Sequence, residues 1–450
     1  MPTNLEIQGV VSKTSLERLQ IFLVVVPVLA LIILVQTYGV NVPHQDQWEM
    51  IPIFQRYQSG ELEWRDVWAQ HNEHRIFFPR LIMLGLAVLS NWNIMWELYL
   101  NIVLGILIFL FGYLLIQHSW INENKRLQQW LTVLFAWMVF SPVQWENWLW
   151  GWQIQWFLNI LSVLITIWAI TAWPSTWPVW LGTLVAAGSA TIASYSLANG
   201  MLIWIVAVLL LLALKGLKPR FLIFVVCSVS VPWLYFLNYK KPSHHPTLLM
   251  FMDNAMDFFR FICVYLGRSL SSGSRDVSMV VGSLLVCLFI ASTVYMLRQE
   301  YCHRQRCLGW VALGLYPVLT AIVTAIGRLG FGVTIATSSR YTTISTFFAF
   351  STILLVSMAL TCTKLDPAQY RYPYKLLVAL LGMYVIIMVS SNYVTGIRRM
   401  SETNIVLVKT KECLEHLESS TDDCLRASYP DPNVVRERAR DLKSWGWGGL

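Results

Sequence analysis

Runs of roughly 20 apolar residues recur along this chain, the length a helix needs to cross a bilayer. Short charged clusters separate them. In hydrocarbon every backbone amide must be satisfied within its own segment, so such runs fold as helices and not as open sheet. The alternating pattern of a membrane barrel strand is absent. Charged residues make up 13% of the 450 residues, against about 25% in a soluble domain. The expected fold class is therefore all-α: a polytopic membrane protein with eleven transmembrane helices, near 19–39, 95–117, 127–143, 152–173, 178–195, 200–215, 220–239, 277–297, 308–327, 341–362 and 375–395. The first run follows Lys13 and Arg18 with no small-x-small cleavage site after it, and reads as a retained signal anchor.

Orientation follows from Lys and Arg in the short loops. A cytoplasmic N-terminus puts the clusters Lys125/Arg126, Lys215–Arg220, Arg298–Arg306 and Lys364–Lys375 inside. It leaves four regions outside: residues 40–94, 240–276, the Arg328–Arg340 loop and the tail. The chain divides into a membrane domain, 1–395, and an extracytoplasmic tail, 396–450. The net charge of +8 sits mostly at helix ends, where it anchors topology and meets anionic lipid headgroups. No basic-aromatic module is present, so nucleic acid is excluded as a partner.

The polar residues that carry chemistry concentrate in the first outside region. It reads His44-Gln45-Asp46-Gln47-Trp48-Glu49, then Gln58-Ser59-Gly60-Glu61, then His71-Asn72-Glu73-His74-Arg75. A stretch of 14 residues ending at Ser90 follows. It is too short to span and suits a helix lying along the membrane surface. Group transfer to a hydroxyl acceptor needs a base to take the hydroxyl's proton. Asp46, just above the bilayer, suits that task, and a helical turn places Glu49 on the same face. His71, Glu73, His74 and Arg75 form a polar knot suited to substrate hydrogen bonding or to bracing the loop. With His44, the residues His71 and His74 also offer ligand types for a divalent metal. Four tryptophans, Trp145, Trp148, Trp150 and Trp152, flank another outside turn. They read as an interfacial belt or as a stacking surface for a sugar ring.

This order of features resembles the GT-C superfamily of membrane glycosyltransferases, in particular protein O-mannosyltransferases and lipid A aminoarabinose transferases. The resemblance covers residues 20–116: an acid soon after the first membrane helix, a Ser-Gly-acid stretch, a His-led motif and a surface helix. The family's acidic pair is often adjacent, whereas Asp46 and Glu49 are three apart, and His-Asn-Glu-His-Arg replaces the usual Lys-Pro-Pro-like motif. The resemblance implies a sugar donor linked to polyprenyl phosphate, a glycan, lipid or protein acceptor, and residence in a bacterial inner or plasma membrane, as part of cell-envelope chemistry. It leaves metal dependence open, and no other cofactor is implied.

A phosphate leaving group needs fixed cations, and the arginine fork matches phosphate oxygens. Arg328 and Arg340 bracket a glycine-rich outside segment that ends at Tyr341. The competing reading is arginines snorkelling at the membrane boundary. Lys240 and Lys241 are further headgroup contacts, with His244 and His245 beside them, and 248–270 reads as a second surface helix. Cys413 and Cys424 both fall in the outside tail, where an oxidising compartment permits a disulfide. Two other functions compete with glycosyl transfer: a transporter or flippase of lipid-linked saccharides, and a non-catalytic membrane scaffold. A transporter needs ionisable groups at mid-bilayer depth, and the long apolar runs hold few.

Overall fold

A computed structural model of the chain describes residues 4–119, 124–215, 218–241, 250–299, 301–362 and 371–449. His244, His245 and Lys364 lie outside them. The described residues are helical, and their sole β-type pairing is an isolated bridge between His71 and His74.

The first membrane helix, α1 (Asn4–Tyr38), leads into a 3-10 turn (Gln45–Met50) and three short helices, α2 (Ile51–Ser59), α3 (Trp64–Trp68) and α4 (Phe77–Ser90). Gly60 ends α2 at φ +73 and Asn91 ends α4 at φ +52, left-handed caps that these two residue types tolerate. Next come α5 (Ile94–Ser119), α6 (Lys125–Val139), the short α7 (Trp145–Leu149), α8 (Ile154–Thr171), α9 (Val179–Ser194), α10 (Leu202–Ala213) and α11 (Lys218–Phe236). Within residues 240–276 lie α12 (Met250–Asp253) and α13 (Ala255–Gly267), and α14 (Arg275–Leu297), α15 (Tyr301–Arg328), α16 (Thr342–Cys362) and α17 (Arg371–Glu415) follow. Two tail helices, α18 (Asp422–Arg426) and α19 (Pro432–Trp445), complete the described chain.

A helix occupies each of the eleven expected positions, and eight of these are long and apolar enough to cross a membrane. The other three are shorter: α6 has 15 residues, α9 has 16 and α10 has 12. Proline explains two of the truncations, because Pro142 follows α6 and Pro178 precedes α9. The spanning segments of α8 and α16 are 78% and 72% buried and form the centre of the bundle, whereas those of α11 and α17 are 17% and 11% buried. Peripheral helices therefore present large apolar side chains outward, among them Phe22, Ile33, Val229, Trp233, Ile386 and Ile387. Only an apolar solvent accommodates such a surface. The chain is an integral membrane protein.

Two elements depart from their expected form. The stretch read as a second surface helix is α12 plus α13, and one face of α13 is buried (Phe261, Val264, Tyr265) against α14. A Cβ on Gly282 would overlap the Cys263 carbonyl, and one on Gly267 would overlap that of Ser278, so backbones touch where these helices cross. The second departure is α17, which runs unbroken through residue 395 and carries the membrane helix 20 residues into the tail, to Glu415.

Candidate active site

The first outside region, the Trp145–Gln153 segment, the Leu329–Tyr341 turns and the tail meet at one end of the bundle. Trp150 Nε1 donates to the His44 carbonyl (3.0 Å), the Arg340 amide to Glu146 Oε2 (2.8 Å) and Trp48 Nε1 to Ser428 Oγ (2.7 Å). Between them lies a cavity of 320 Å³ lined by Asp46, Glu146, Arg340, Trp145, Trp150 and His44, with Thr403 and Leu407 of α17 on its far wall. Its size lies within the roughly 300–1,000 Å³ of small-molecule pockets.

Asp46 sits on the 3-10 turn with its side chain 40% exposed, and His71 lies beside it (Nε2 to Oδ2, 3.7 Å). The His71 ring is held edge-on against Trp152 at 5.0 Å. Across the cavity, the Arg340 guanidinium lies 5.9 Å from the Tyr341 ring centroid. Among the described residues no carboxylate pairs with it, and its Nε is buried without an acceptor. Tyr341 itself is buried, with Tyr265 and Trp156 in ring contact with it.

The remaining candidates are tied to protein groups. Glu49 accepts from Tyr429 Oη (2.6 Å) and Arg438 Nη1 (3.1 Å), away from the cavity. Burial, and then the Glu49 carboxylate, push the Tyr429 hydroxyl up to about 12, so it remains a donor. Arg328 pairs with Glu73 and leans on Phe331. Arg75 is buried, with Nε on the Tyr235 carbonyl (2.6 Å) and its forks on those of Trp68 and Leu237. It straps the first outside region to the end of α11. Lys240 and Lys241 are exposed, and the Lys240 main chain is bonded both ways to Gln70.

The His-Asn-Glu-His motif is a tight turn. His71 and His74 exchange two backbone hydrogen bonds of 2.8 Å, with Asn72 left-handed at φ +47. His74 Nδ1 accepts the Ala198 amide (3.2 Å), which leaves the proton on Nε2 facing Glu73 (3.4 Å). Burial lowers both His44 and His74 to about 4, so both are neutral at pH 7. Among the described residues no three His, Cys, Asp or Glu side chains converge as metal ligands. The three histidines are engaged separately: His44 edge-on to Trp150, His71 beside Asp46 and Trp152, and His74 on the Ala198 amide.

Glu146 is a cavity residue that sequence reasoning missed, and its signal was a lone acid within the outside tryptophan cluster. That cluster itself divides. Trp148 and Trp152 are buried in the core, and Trp145 and Trp150 wall the cavity. In the tail, Cys413 and Cys424 are joined as a disulfide with a Cα–Cα separation of 6.1 Å.

No family model and no curated protein matches the sequence. Among solved structures, one similar fold is the Archaeoglobus fulgidus oligosaccharyltransferase in complex with Zn and sulfate (TM-score 0.44, 13% identity, covering 84% of this chain and 53% of that one). Another is the archaeal oligosaccharyltransferase AglB from Archaeoglobus fulgidus in complex with an inhibitory peptide and a dolichol-phosphate (TM-score 0.43, 13% identity, covering 91% of this chain and 59% of that one). The chain spans little more than half the length of these two structures. A likeness at this level does not assign a family.

Proposed function

We propose that this protein is a GT-C-type glycosyltransferase. It transfers a sugar from a polyprenyl-phosphate carrier to a glycan, lipid or protein acceptor at the outer membrane face, with its N-terminus cytoplasmic and its C-terminus outside. The observation that carries this reading is one cavity lined both by Asp46, with His71 at 3.7 Å, and by Arg340, whose guanidinium has no carboxylate partner among the described residues. Asp46 takes the proton of the acceptor hydroxyl as its oxygen bonds to the anomeric carbon. The bond from that carbon to the carrier phosphate breaks, and Arg340 stabilises the charge left on the phosphate. Trp145 and Trp150 give the sugar an apolar wall. His71 sits beside Asp46 and steadies it. Of the two candidate bases, Glu49 is the less suited, since its carboxylate is engaged by Tyr429 and Arg438. Of the two candidate phosphate clamps, Arg328 is the less suited, since Glu73 neutralises it.

The test is carrier-lipid binding and sugar transfer measured separately on folded variants. Asp46→Asn lowers turnover about 100-fold or more, the ordinary worth of a general base, and leaves carrier affinity unchanged. Arg340→Ala weakens carrier affinity about tenfold or more, the loss of one charge-assisted hydrogen bond. Near-normal transfer by Asp46→Asn rejects Asp46 as the base. Unchanged carrier affinity in Arg340→Ala rejects the phosphate assignment and leaves the arginine a boundary residue.

A further inference from the structure

The turn that presents Asp46 is held from the other end of the chain. Gln45, directly before Asp46, has φ +48, a left-handed conformation that costs a non-glycine residue energy. Its amide donates to the Ser428 carbonyl (2.6 Å). The Ser428 hydroxyl accepts from Trp48 Nε1 (2.7 Å) and donates to the Pro43 carbonyl (3.0 Å), and both Ser428 and Trp48 are fully buried. Arg438 bonds the Trp48 carbonyl (2.8 Å) and the Glu49 carboxylate, which Tyr429 also holds. Residues on both sides of Asp46 are thus pinned by the tail, while among the described residues no tail bond reaches Asp46 itself.

The tail is anchored at both of its ends. Near Glu415, the Cys413–Cys424 disulfide closes the connection from α17 to α18, and Arg436 bonds the Leu417 and Ser420 carbonyls of that connection. At the far end Trp447 packs edge-on against Phe54, and the Gly448 amide donates to the Asn91 carbonyl. A segment clamped at both ends and bonded in its middle to a strained turn fixes where that turn sits.

We infer that the C-terminal hairpin, residues 413–449, is a positioning element for Asp46, with Ser428, Tyr429 and Arg438 as the positioning residues and the disulfide as its clamp. The inference deepens the proposed transfer reaction and rests on Asp46 as its base. Its mechanical half is measured without any activity. In the full-length protein in detergent, the double variant Tyr429→Phe/Arg438→Gln exchanges the amides of residues 44–50 faster, while peptides from α8 and α16 are unchanged. Its turnover falls about tenfold, the kind of loss a small misplacement of a catalytic group causes, and the carrier KM does not move. Arg438→Lys, which keeps a cation beside Glu49, retains most of the turnover. Reduction of the disulfide in the unmodified protein reproduces the faster exchange. Unchanged exchange in the double variant overturns the inference, as does faster exchange with full turnover. If Asp46→Asn is fully active, the base assignment fails, and the exchange measurement alone then decides whether the tail holds the turn.

Discussion

Glu49 accepts two charge-bearing or hydroxyl donors, whereas Asp46, three residues earlier, faces a cavity with a histidine at 3.7 Å. The same contrast separates Arg328, paired with Glu73, from Arg340. Chemistry at the residue scale is thus set by which charges the protein itself neutralises. The histidines add a dependence on pH. Burial holds His44 and His74 at about 4, against an ordinary 6.5. Between these values the unfolded chain binds protons that the folded chain does not, so stability is fully present above 6.5 and falls as pH drops through the window. The melting temperature should decline from pH 7.5 to pH 5, as read by thermal unfolding in detergent. His74→Gln should show a shallower decline, and an unaltered slope in that variant would contradict the assignment. The candidate residues were legible because acids, histidines and arginines are scarce in this chain and gather in outside loops. Their division into bonded and unbonded was not legible, because the partners of Glu49 lie about 380 positions away.

Among the elements, helix positions followed from apolar runs, while helix ends and crossings depended on neighbours. The crossing of α13 and α14 is made by backbone contact at Gly267 and Gly282. Small residues give membrane helices this close approach. Gly282→Val places a branched side chain against the Cys263 carbonyl and forces the helices apart. The expected cost is about 1–3 kcal/mol, the usual range for overpacking. It is checked by the midpoint of thermal unfolding in detergent, and a melting curve equal to that of the unmodified protein would show that the crossing adjusts freely. A surface helix was the natural reading of 248–270, since Asp253, Asp257 and Arg260 alternate with apolar residues. The glycine contact reveals its burial, and a glycine in sequence does not say which backbone it meets. The extension of α17 past residue 395 has a similar cause. Polar residues follow the membrane run there, but Gly396 lies within the helix, where a Cβ would overlap the Pro142 backbone, and Asn404 ties the helix to the Tyr38 carbonyl at the end of α1 (3.0 Å).

At the scale of the whole molecule, described residues from the segments that the basic clusters assign to the outside meet at one end of the helices. His44 reaches Trp150, Glu73 reaches Arg328, Gln70 reaches Lys240 and Trp48 reaches Ser428. The proposed orientation makes that end extracytoplasmic. A reporter active only outside the cytoplasm should then work when fused after Tyr393 and fail when fused after Arg304. The opposite pattern would turn the cavity to the cytoplasm and reject the proposed reaction. The disulfide gives an independent reading of the same question, because such bonds persist in oxidising compartments. Mass mapping under non-reducing conditions should recover Cys413 linked to Cys424, and two alkylatable thiols in the native protein would reject it. Closing this loop stabilises the tail by roughly 2–3 kcal/mol.

The sequence by itself determined that the chain is helical, that it belongs in a membrane, and that its candidate site residues lie in loops at the helix ends. These follow from composition and local pattern, because hydrocarbon forces backbone bonds to close within each segment. It also determined a separate helix near Phe77–Ser90, whose 14 residues are too few to span. Only the tertiary structure decided that Asp46 and Arg340 share a cavity, that Glu146 joins them, and that Glu49 and Arg328 are taken up in ion pairs. It also decided that the tail holds the turn before Asp46. The physical reason is range: a charge is neutralised by whichever opposite group the fold brings within about 4 Å, and sequence order carries no record of that distance.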